Sequence, residues 1–349
     1  MCVLLCQASY AARRDDPVYV RVLGAYAFMV RILVTGGAGY IGGHVVRLLR
    51  ERGDHVVVID DLSSGAARRI DGVDLRAISL TAPDAATQVA SVMKREALEA
   101  VMHFAARKDV AESVARPTWY YRENLGGLVT LLEAMELAGL DRLIFSSSAA
   151  VYGRTEGAAI TESDPALPVN PYGATKLEGE RLITACSRAF GLRAVSLRYF
   201  NVGGAASTDL ADRGASNLIP MVFDRVRSGR PPQIFGDDYP TPDGTCVRDF
   251  VHVVDLAEAH IAALDHLDAV EGNRVFNVGT GTGTSVREVI QTVAAVTGMK
   301  LRPEISARRV GDPAWVVASP ALIDEVIGWR SSRSIVDIVE SAWRAQHAS

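Results

Sequence analysis

The sequence predicts an α/β protein: a Rossmann-type, doubly wound parallel sheet with a smaller, mixed C-terminal substrate lobe. Three observations carry this expectation. The first half alternates short β-branched runs with amphipathic stretches at the spacing of βαβ units. A glycine-rich loop, Gly36-Gly37-Ala38-Gly39-Tyr40-Ile41-Gly42, joins the first such run to a helical pattern. Beyond Phe200 the alternation breaks, and residues 201–247 are rich in Gly, Pro, Asp and Asn. With 349 residues, 48% hydrophobic and 22% charged, the chain has material for two such parts and is no disordered polymer.

Taken in order, residues 1–28 read as an N-terminal extension, poorly ordered, of the kind an early start codon adds ahead of Met29. Strands follow at 31–35, 55–60, 75–79, 100–104, 143–148 and 194–199, with helices at 41–52 and 124–137 among the connections. Right-handed crossovers then put helices on both faces of the sheet. Past residue 200 we expect a helix at 220–228, a strand and helix within 247–267, a strand at 275–278, and helices at 285–297 and 321–327. This gives a nucleotide-binding domain over 29–200, to which 247–267 returns, and a lobe built mainly from 201–349.

Lys+Arg is 37 and Asp+Glu is 41, so the net charge is -4, and the basic residues are dispersed. That argues against a nucleic-acid or membrane-surface partner. No stretch reaches the ~20 apolar residues that span a bilayer. The four cysteines, Cys2, Cys6, Cys186 and Cys246, form no CxxC pair, which suits a reduced, cytoplasmic chain. The seven histidines show no metal-ligand spacing, so no metal is expected.

In the glycine loop, Gly36, Gly39 and Gly42 have distinct uses. The early ones permit a tight turn and close approach of backbone to a pyrophosphate. The last lets helix pack on strand, and the helix N-terminus attracts the anion. Asp60 ends the second strand, 18 residues after Gly42. A carboxylate there accepts both ribose hydroxyls of an adenosine and repels a 2′-phosphate, so NAD is expected rather than NADP.

Strand 143–148 ends in Ser146-Ser147-Ser148, at the carboxyl edge where open α/β sheets bind ligands. Downstream, Tyr172 and Lys176 are four apart and share one helix face. An ammonium beside a phenol favours phenolate and lowers its pKa, which suits a base for a sugar hydroxyl. A serine hydroxyl on the neighbouring strand can bridge to the same oxygen.

Glycine loop, acid, serine-ended strand and YxxxK in this order resemble the extended short-chain dehydrogenase/reductase superfamily. Within it the chain is similar to the UDP-glucose 4-epimerase family over about residues 30–345. The matching pieces include VTGGAGYIG (34–42), HFAARKDVAESV (103–114), FSSSAAVYG (145–153), NPYGATKLEGE (170–180), LRYFNVGGA (197–205) and RRVGDP (308–313). The block Asp238 to Thr245 is narrower than the superfamily motifs and points to the 4-epimerase branch.

The resemblance implies an isomerase of galactose metabolism. It would interconvert UDP-galactose and UDP-glucose by oxidation at C4 to a 4-keto sugar, rotation and re-reduction, with NAD as cofactor and a homodimeric assembly. It makes Ser148, Tyr172 and Lys176 catalytic. It puts Tyr40, Ile41, Asp60, Phe104, Lys108, Asn124 and Lys176 on NAD. Phe200, Asn201, Asn217, Leu218, Phe235, Arg248, Arg309 and Asp312 would hold the UDP-sugar, with Ser148 and Tyr172 at its reacting end. Two arginines can grip a diphosphate in charge-assisted hydrogen bonds. Val316, four positions beyond Asp312, falls where relatives place a gate on the sugar. If the gate were one residue earlier, Trp315 would fill it.

The chain departs from the family in three places. Ile78-Ser79-Leu80 stands where Gly-Asp usually follows the third strand. Asn124-Leu125-Gly126-Gly127 keeps only the first Asn of an Asn-x-Asn-Gly. Ala149 and Ala150 follow Ser148, where many relatives have Ala-Thr. The alternatives are another nucleotide-sugar enzyme of the superfamily, namely a UDP-glucuronate or UDP-N-acetylglucosamine 4-epimerase or a 4,6-dehydratase, and a non-catalytic NAD-binding sensor. A dehydratase needs an acid near the catalytic serine, and neither alanine offers one.

Overall fold

A computed structural model describes residues 29–153, 158–214, 217–309 and 311–347. The expected extension, residues 1–28, lies outside the described residues. The chain begins with β1 (Arg31–Thr35), α1 (Tyr40–Arg52), β2 (His55–Asp60), β3 (Asp74–Ala77), α2 (Ala85–Arg95) and β4 (Ala100–His103). Then come α3 (Val110–Ala115), α4 (Pro117–Tyr120), a π-helical turn (Tyr121–Gly126), α5 (Gly127–Ala138), β5 (Arg142–Ser148), α6 (Pro171–Phe190) and β6 (Arg193–Tyr199). Next follow β7 (Asn201–Gly203), α7 (Leu218–Arg227), β8 (Gln233–Phe235), β9 (Val247–His252), α8 (Val253–His266) and β10 (Asn273–Val278). The last elements are β11 (Gly283–Ser285), α9 (Val286–Thr297), β12 (Glu304–Ser306), β13 (Trp315–Val316), α10 (Ala321–Ile327) and α11 (Ile335–His347).

Seven strands make one sheet in the order β10-β6-β5-β4-β1-β2-β3. Every neighbouring pair is parallel. Period-2 alternation explains the two buried faces. Ile32, Val34, Val56 and Val58 pack on one side with α1 and α8, whereas Leu33, Val57 and Ile59 pack on the other with α2 and α5. This doubly covered sheet is the α/β Rossmann-type fold expected.

A second, four-stranded sheet is built around β9. It pairs antiparallel with β11 and parallel with β7 and β13. The segment 247–267 therefore divides: helix α8 packs on the central sheet, while β9 centres the second one. Strand β10 instead joins the central sheet beside β6. A third core, with Phe223, Phe250, Val289 and Ile338, closes α7, α9 and α11 over the second sheet.

The expected helix 124–137 starts later, at Gly127, behind the π-helical turn. The physical reason is Asn124. Its side chain is buried and clamps the Arg107 backbone, accepting from its N–H at 2.7 Å and donating to its C=O at 3.0 Å.

Helix α6 starts on an Asn170 side chain that accepts from Gly173 N at 2.8 Å, with Pro171 at the first position, and ends at the left-handed Gly191. Its middle is bolted to the sheet. Arg198 of β6 donates to both Glu180 oxygens, at 2.9 and 2.6 Å, and Ser147 of β5 donates to Glu180 at 2.5 Å. Both charged side chains are almost wholly buried. Glu180→Ala should destabilise the fold by about 3–5 kcal/mol, because Arg198 is left buried without a partner. Glu180→Leu with Arg198→Met should cost much less. Urea unfolding of the three proteins measures this, and a single-variant loss below about 1 kcal/mol would contradict the assignment.

Candidate active site

A cleft of about 470 Å³ opens at the carboxyl edge of the central sheet, where β1 and β4 send their connections in opposite directions. The glycine loop forms one wall. Gly36 has φ 72, and a Cβ there would lie 2.5 Å from Ala105 N. A Cβ on Gly42 would lie 2.3 Å from Gly36 O, so helix α1 can sit this close to its own turn only with glycine. No side chain caps α1, and its first turn holds no acid. Its N-terminus is left as a cradle for an anion. Tyr40, Ile41, Phe104 and Lys108 line the same cleft.

Asp60 lies at the tip of β2 in this wall. One oxygen accepts from Ala38 N at 3.0 Å, the other from Leu62 N at 2.8 Å. These bonds fix the carboxylate, with lone pairs left over for a ribose. Burial raises its pKa, and the two backbone donors act against that. An uncapped helix end, a glycine turn and a fixed carboxylate together fit a dinucleotide such as NAD.

At the inner end, Tyr172 and Lys176 stand one turn apart on α6, both buried and both lining the cleft. Ser148 ends β5, and its hydroxyl lies near enough to the Tyr172 phenol to act on its ionisation. The Ser148 oxygen also accepts from Ala150 N at 3.2 Å. Lys176 Nζ donates to the Ser146 carbonyl at 2.7 Å and lies 5.1 Å from the Phe145 ring.

The electrostatics differ from the expectation. Burial raises the Tyr172 phenol above its ordinary value, and the Ser148 hydroxyl opposes the rise. Burial pulls Lys176 down to about 7, and the Glu180 carboxylate one turn on opposes that. Spacing on a helix places the two groups correctly, but it says nothing of the desolvation that dominates here.

A second pocket, of about 210 Å³, lies in the C-terminal lobe. Asn201, Asn217, Leu218, Phe235, Arg248, Arg309 and Asp312 all line it. The Arg309 guanidinium stacks 3.9 Å over the Phe235 ring. Arg248 donates to Val247 O at 2.9 Å and stands 3.9 Å from Asp312. Arg308, next to Arg309 in the chain, is turned away and pairs with Asp238 at 2.6 Å. The pockets are linked: Asp212 lines the first and accepts from Asn217 of the second at 2.7 Å.

Phe200 is buried and lines neither pocket. It packs with Ala149, Val151, Leu177 and Val316, against the strand end that carries Ser148. Trp315 points to the opposite face of β13, towards Gly283. Pleating thus turns Val316, and not Trp315, toward the Ser148 end.

Residues 32–279 match the model of the NAD dependent epimerase/dehydratase family. The chain belongs to that family. It is 46% identical over 319 residues to a UDP-glucose 4-epimerase of Azospirillum brasilense, covering 89% of this chain and 90% of that one. Among solved structures, UDP-glucose 4-epimerase from Brucella ovis in complex with NAD matches with a TM-score of 0.85 and 40% identity, over 91% of this chain and 98% of that one. UDP-glucose-4-epimerase from Stenotrophomonas maltophila, with bound NAD and formylated UDP-arabinopyranose, matches with a TM-score of 0.85 and 38% identity, over 91% and 98%.

Several lining residues carry no signal in the motifs of this epimerase/dehydratase chain. Arg69, Asp212 and Gly214 reach the cleft from a turn and a loop. Arg107, Trp119 and Glu123 reach it from the connection after β4. For Arg107 the clue is its place between Phe104 and Lys108, in a segment already assigned to the cofactor. Among the described residues, no group of three His, Cys, Asp or Glu side chains could hold a metal.

Four imidazoles are buried in the fold. Burial holds His103 down at about 3, and His44, His252 and His260 at about 4. The unfolded chain takes up these protons near pH 6.5, so between about 6.5 and 4 it binds more protons than the folded one. Stability from these groups is complete above that window and is lost as pH falls through it. Melting curves from pH 7 to 4 should show this fall, and His260→Phe should have the shallower slope. Equal slopes for variant and parent would show that His260 is not a buried neutral imidazole.

Proposed function

We infer that this chain interconverts UDP-galactose and UDP-glucose as an NAD-dependent 4-epimerase, an isomerase. The observation that carries the reading is the joining of two sites. A dinucleotide cleft ends on Tyr172 and Lys176, with Ser148 at the tip of the neighbouring strand β5, and it is tied through Asp212 and Asn217 to a pocket with two arginines and an aromatic platform. Gly36, Gly39, Gly42, Tyr40, Ile41, Asp60, Phe104 and Lys108 are the residues that would hold NAD. When bound, NAD supplies the two-electron oxidant for C4 of the sugar and ends each cycle unchanged.

The remaining chemistry belongs to the protein. Tyr172 Oη takes the proton from the sugar 4-hydroxyl as C4 is oxidised, and returns one as C4 is reduced. The Ser148 hydroxyl donates to that oxygen and steadies the phenolate. Lys176 supplies positive charge at the base of the cleft, held in place by the Ser146 carbonyl. Arg248 and Arg309 anchor the diphosphate while the sugar turns about it. Nothing favours a dehydratase: Ala149 and Ala150 put no acid beside Ser148.

We assign the division of labour accordingly. Residues 29–200, with the later helix α8 and strand β10, form the NAD-binding domain, and 201–349 mainly form the UDP-sugar lobe. A homodimer through the helices after β4 fits the exposed Tyr121, Val129 and Leu137. No helix among the described residues is long and apolar enough to cross a membrane. The free thiols of Cys186 and Cys246 agree with a cytoplasmic setting.

Purified protein should convert UDP-galactose to UDP-glucose without added reductant. Tyr172→Phe should lower turnover by ~10²–10⁴-fold while NAD stays bound, because only the titratable oxygen is lost. Retention of more than about a tenth of the activity would exclude Tyr172 as the base. Val316 leaves more room at the sugar end than an aromatic ring would, so UDP-N-acetylglucosamine should also be epimerised. Val316→Tyr should remove that activity and spare UDP-galactose, since overpacking costs ~1–3 kcal/mol. A parent enzyme inert on the N-acetyl sugar that gains it on Trp315→Ala would move the gate by one residue.

A further inference from the structure

One guanidinium ties together three separate segments at the rim of the cofactor cleft. Arg107 follows β4. Its Nη1 donates to Ser63 Oγ at 2.6 Å, and its Nη2 to Asp61 at 3.2 Å, both in the loop after β2. Its Nε and Nη2 donate to Glu123, in the π-helical turn, at 3.2 and 3.0 Å. The Trp119 ring lies 5.0 Å from the guanidinium. Asp61, Ser63, Arg107, Trp119 and Glu123 all line the cleft. Asp61 directly follows Asp60, so the bridge crosses the end of the cleft where the adenosine ribose belongs.

We propose that Arg107 is a clasp that retains NAD, by joining the loop after β2 to the turn before α5 across the mouth of the cleft. The proposal rests on the reading that this cleft takes NAD. An epimerase returns its cofactor to the starting oxidation state in every cycle, so no turnover requires the mouth to open. The side chains are suited to a clasp rather than to a permanent strut. Arg107 is 21% exposed, Asp61 33% and Glu123 17%, so water reaches the ion pairs and they can be exchanged. The backbone of Arg107 is held on both sides by Asn124, so the guanidinium starts from a fixed point. With its donors committed to two carboxylates and a hydroxyl, Arg107 is also not a free receptor for a 2′-phosphate.

Release of isotopically labelled NAD from the purified holoenzyme, chased with excess unlabelled NAD, tests the clasp. Arg107→Met should release NAD about three- to tenfold faster than the parent. Glu123→Gln, which keeps the arginine, should fall between them, and Arg107→Lys should recover part of the retention. Raising the salt to ~0.5 M should speed release from the parent more steeply than from Arg107→Met, because the screened pairs exist only in the parent. UDP affinity at the second pocket should stay unchanged, which a general loosening of the fold would not allow. Equal release rates and equal salt slopes in parent and Arg107→Met would overturn the clasp. A parent that binds no NAD at all would overturn the cofactor reading beneath it.

Discussion

The buried pair between Glu180 and Arg198 is the interaction on which the site depends. Helix α6 carries both Tyr172 and Lys176, and a helix laid on a sheet can slide or roll unless something polar fixes it. Glu180 accepts from Arg198 of β6 through both oxygens and from Ser147 of β5 through one. Two adjacent strands therefore set the helix's position along and across the sheet. Ser147 precedes Ser148, so the bond that places the helix also places the strand end that meets Tyr172. Arg198 continues the network, stacking 4.8 Å over the Tyr152 ring, whose hydroxyl donates to Asn277 of β10 at 2.7 Å. Four elements are thus fixed by groups that lose much free energy if any one is left unpaired.

The central sheet was largely legible in the sequence because its strands are buried on both faces and separated by amphipathic helices. Strand β1 and strand β2 fall on the residues expected, and the others differ by one or two positions at their ends. The second sheet was not legible. Its strands β7, β11 and β13 have two or three residues each, as do β8 and β12 of a separate two-stranded sheet, too few to show a period. The late helix α11 was also missed, although its apolar positions Ile338, Val339 and Ala342 pack in the third core. The placement of 247–267 shows the limit of local pattern: strand and helix were both visible, but only pairing partners decide to which sheet a strand belongs.

At the site, residue types in motifs were legible and contacts between motifs were not. The glycine loop, Asp60, Tyr172 and Lys176 could be named because each role needs a particular chemistry at a particular spacing. The link between the lobes has no such signature. Tyr40 donates to Gly204 O at 2.6 Å, and Ala206 N donates to His44 at 3.1 Å, joining the first turns of α1 to the chain beyond β7. These partners lie over 160 positions apart. The helix that offers its N-terminus to a pyrophosphate is thereby attached, at the same turns, to the lobe that holds the second pocket.

The ionisation of the inner cleft follows from burial more than from the proximity of Tyr172 and Lys176. Removing water disfavours phenolate and ammonium alike, which raises the acid and lowers the base. The charge-separated pair is therefore costly, and each half has one neighbour acting against that cost. The Ser148 hydroxyl favours the phenolate, and the Glu180 carboxylate lends negative charge to the lysine. Arg198 holds that carboxylate in place in a dry interior. The pair that positions helix α6 also provides the field that steadies its lysine, so the mechanical and electrostatic requirements of the site converge on one carboxylate.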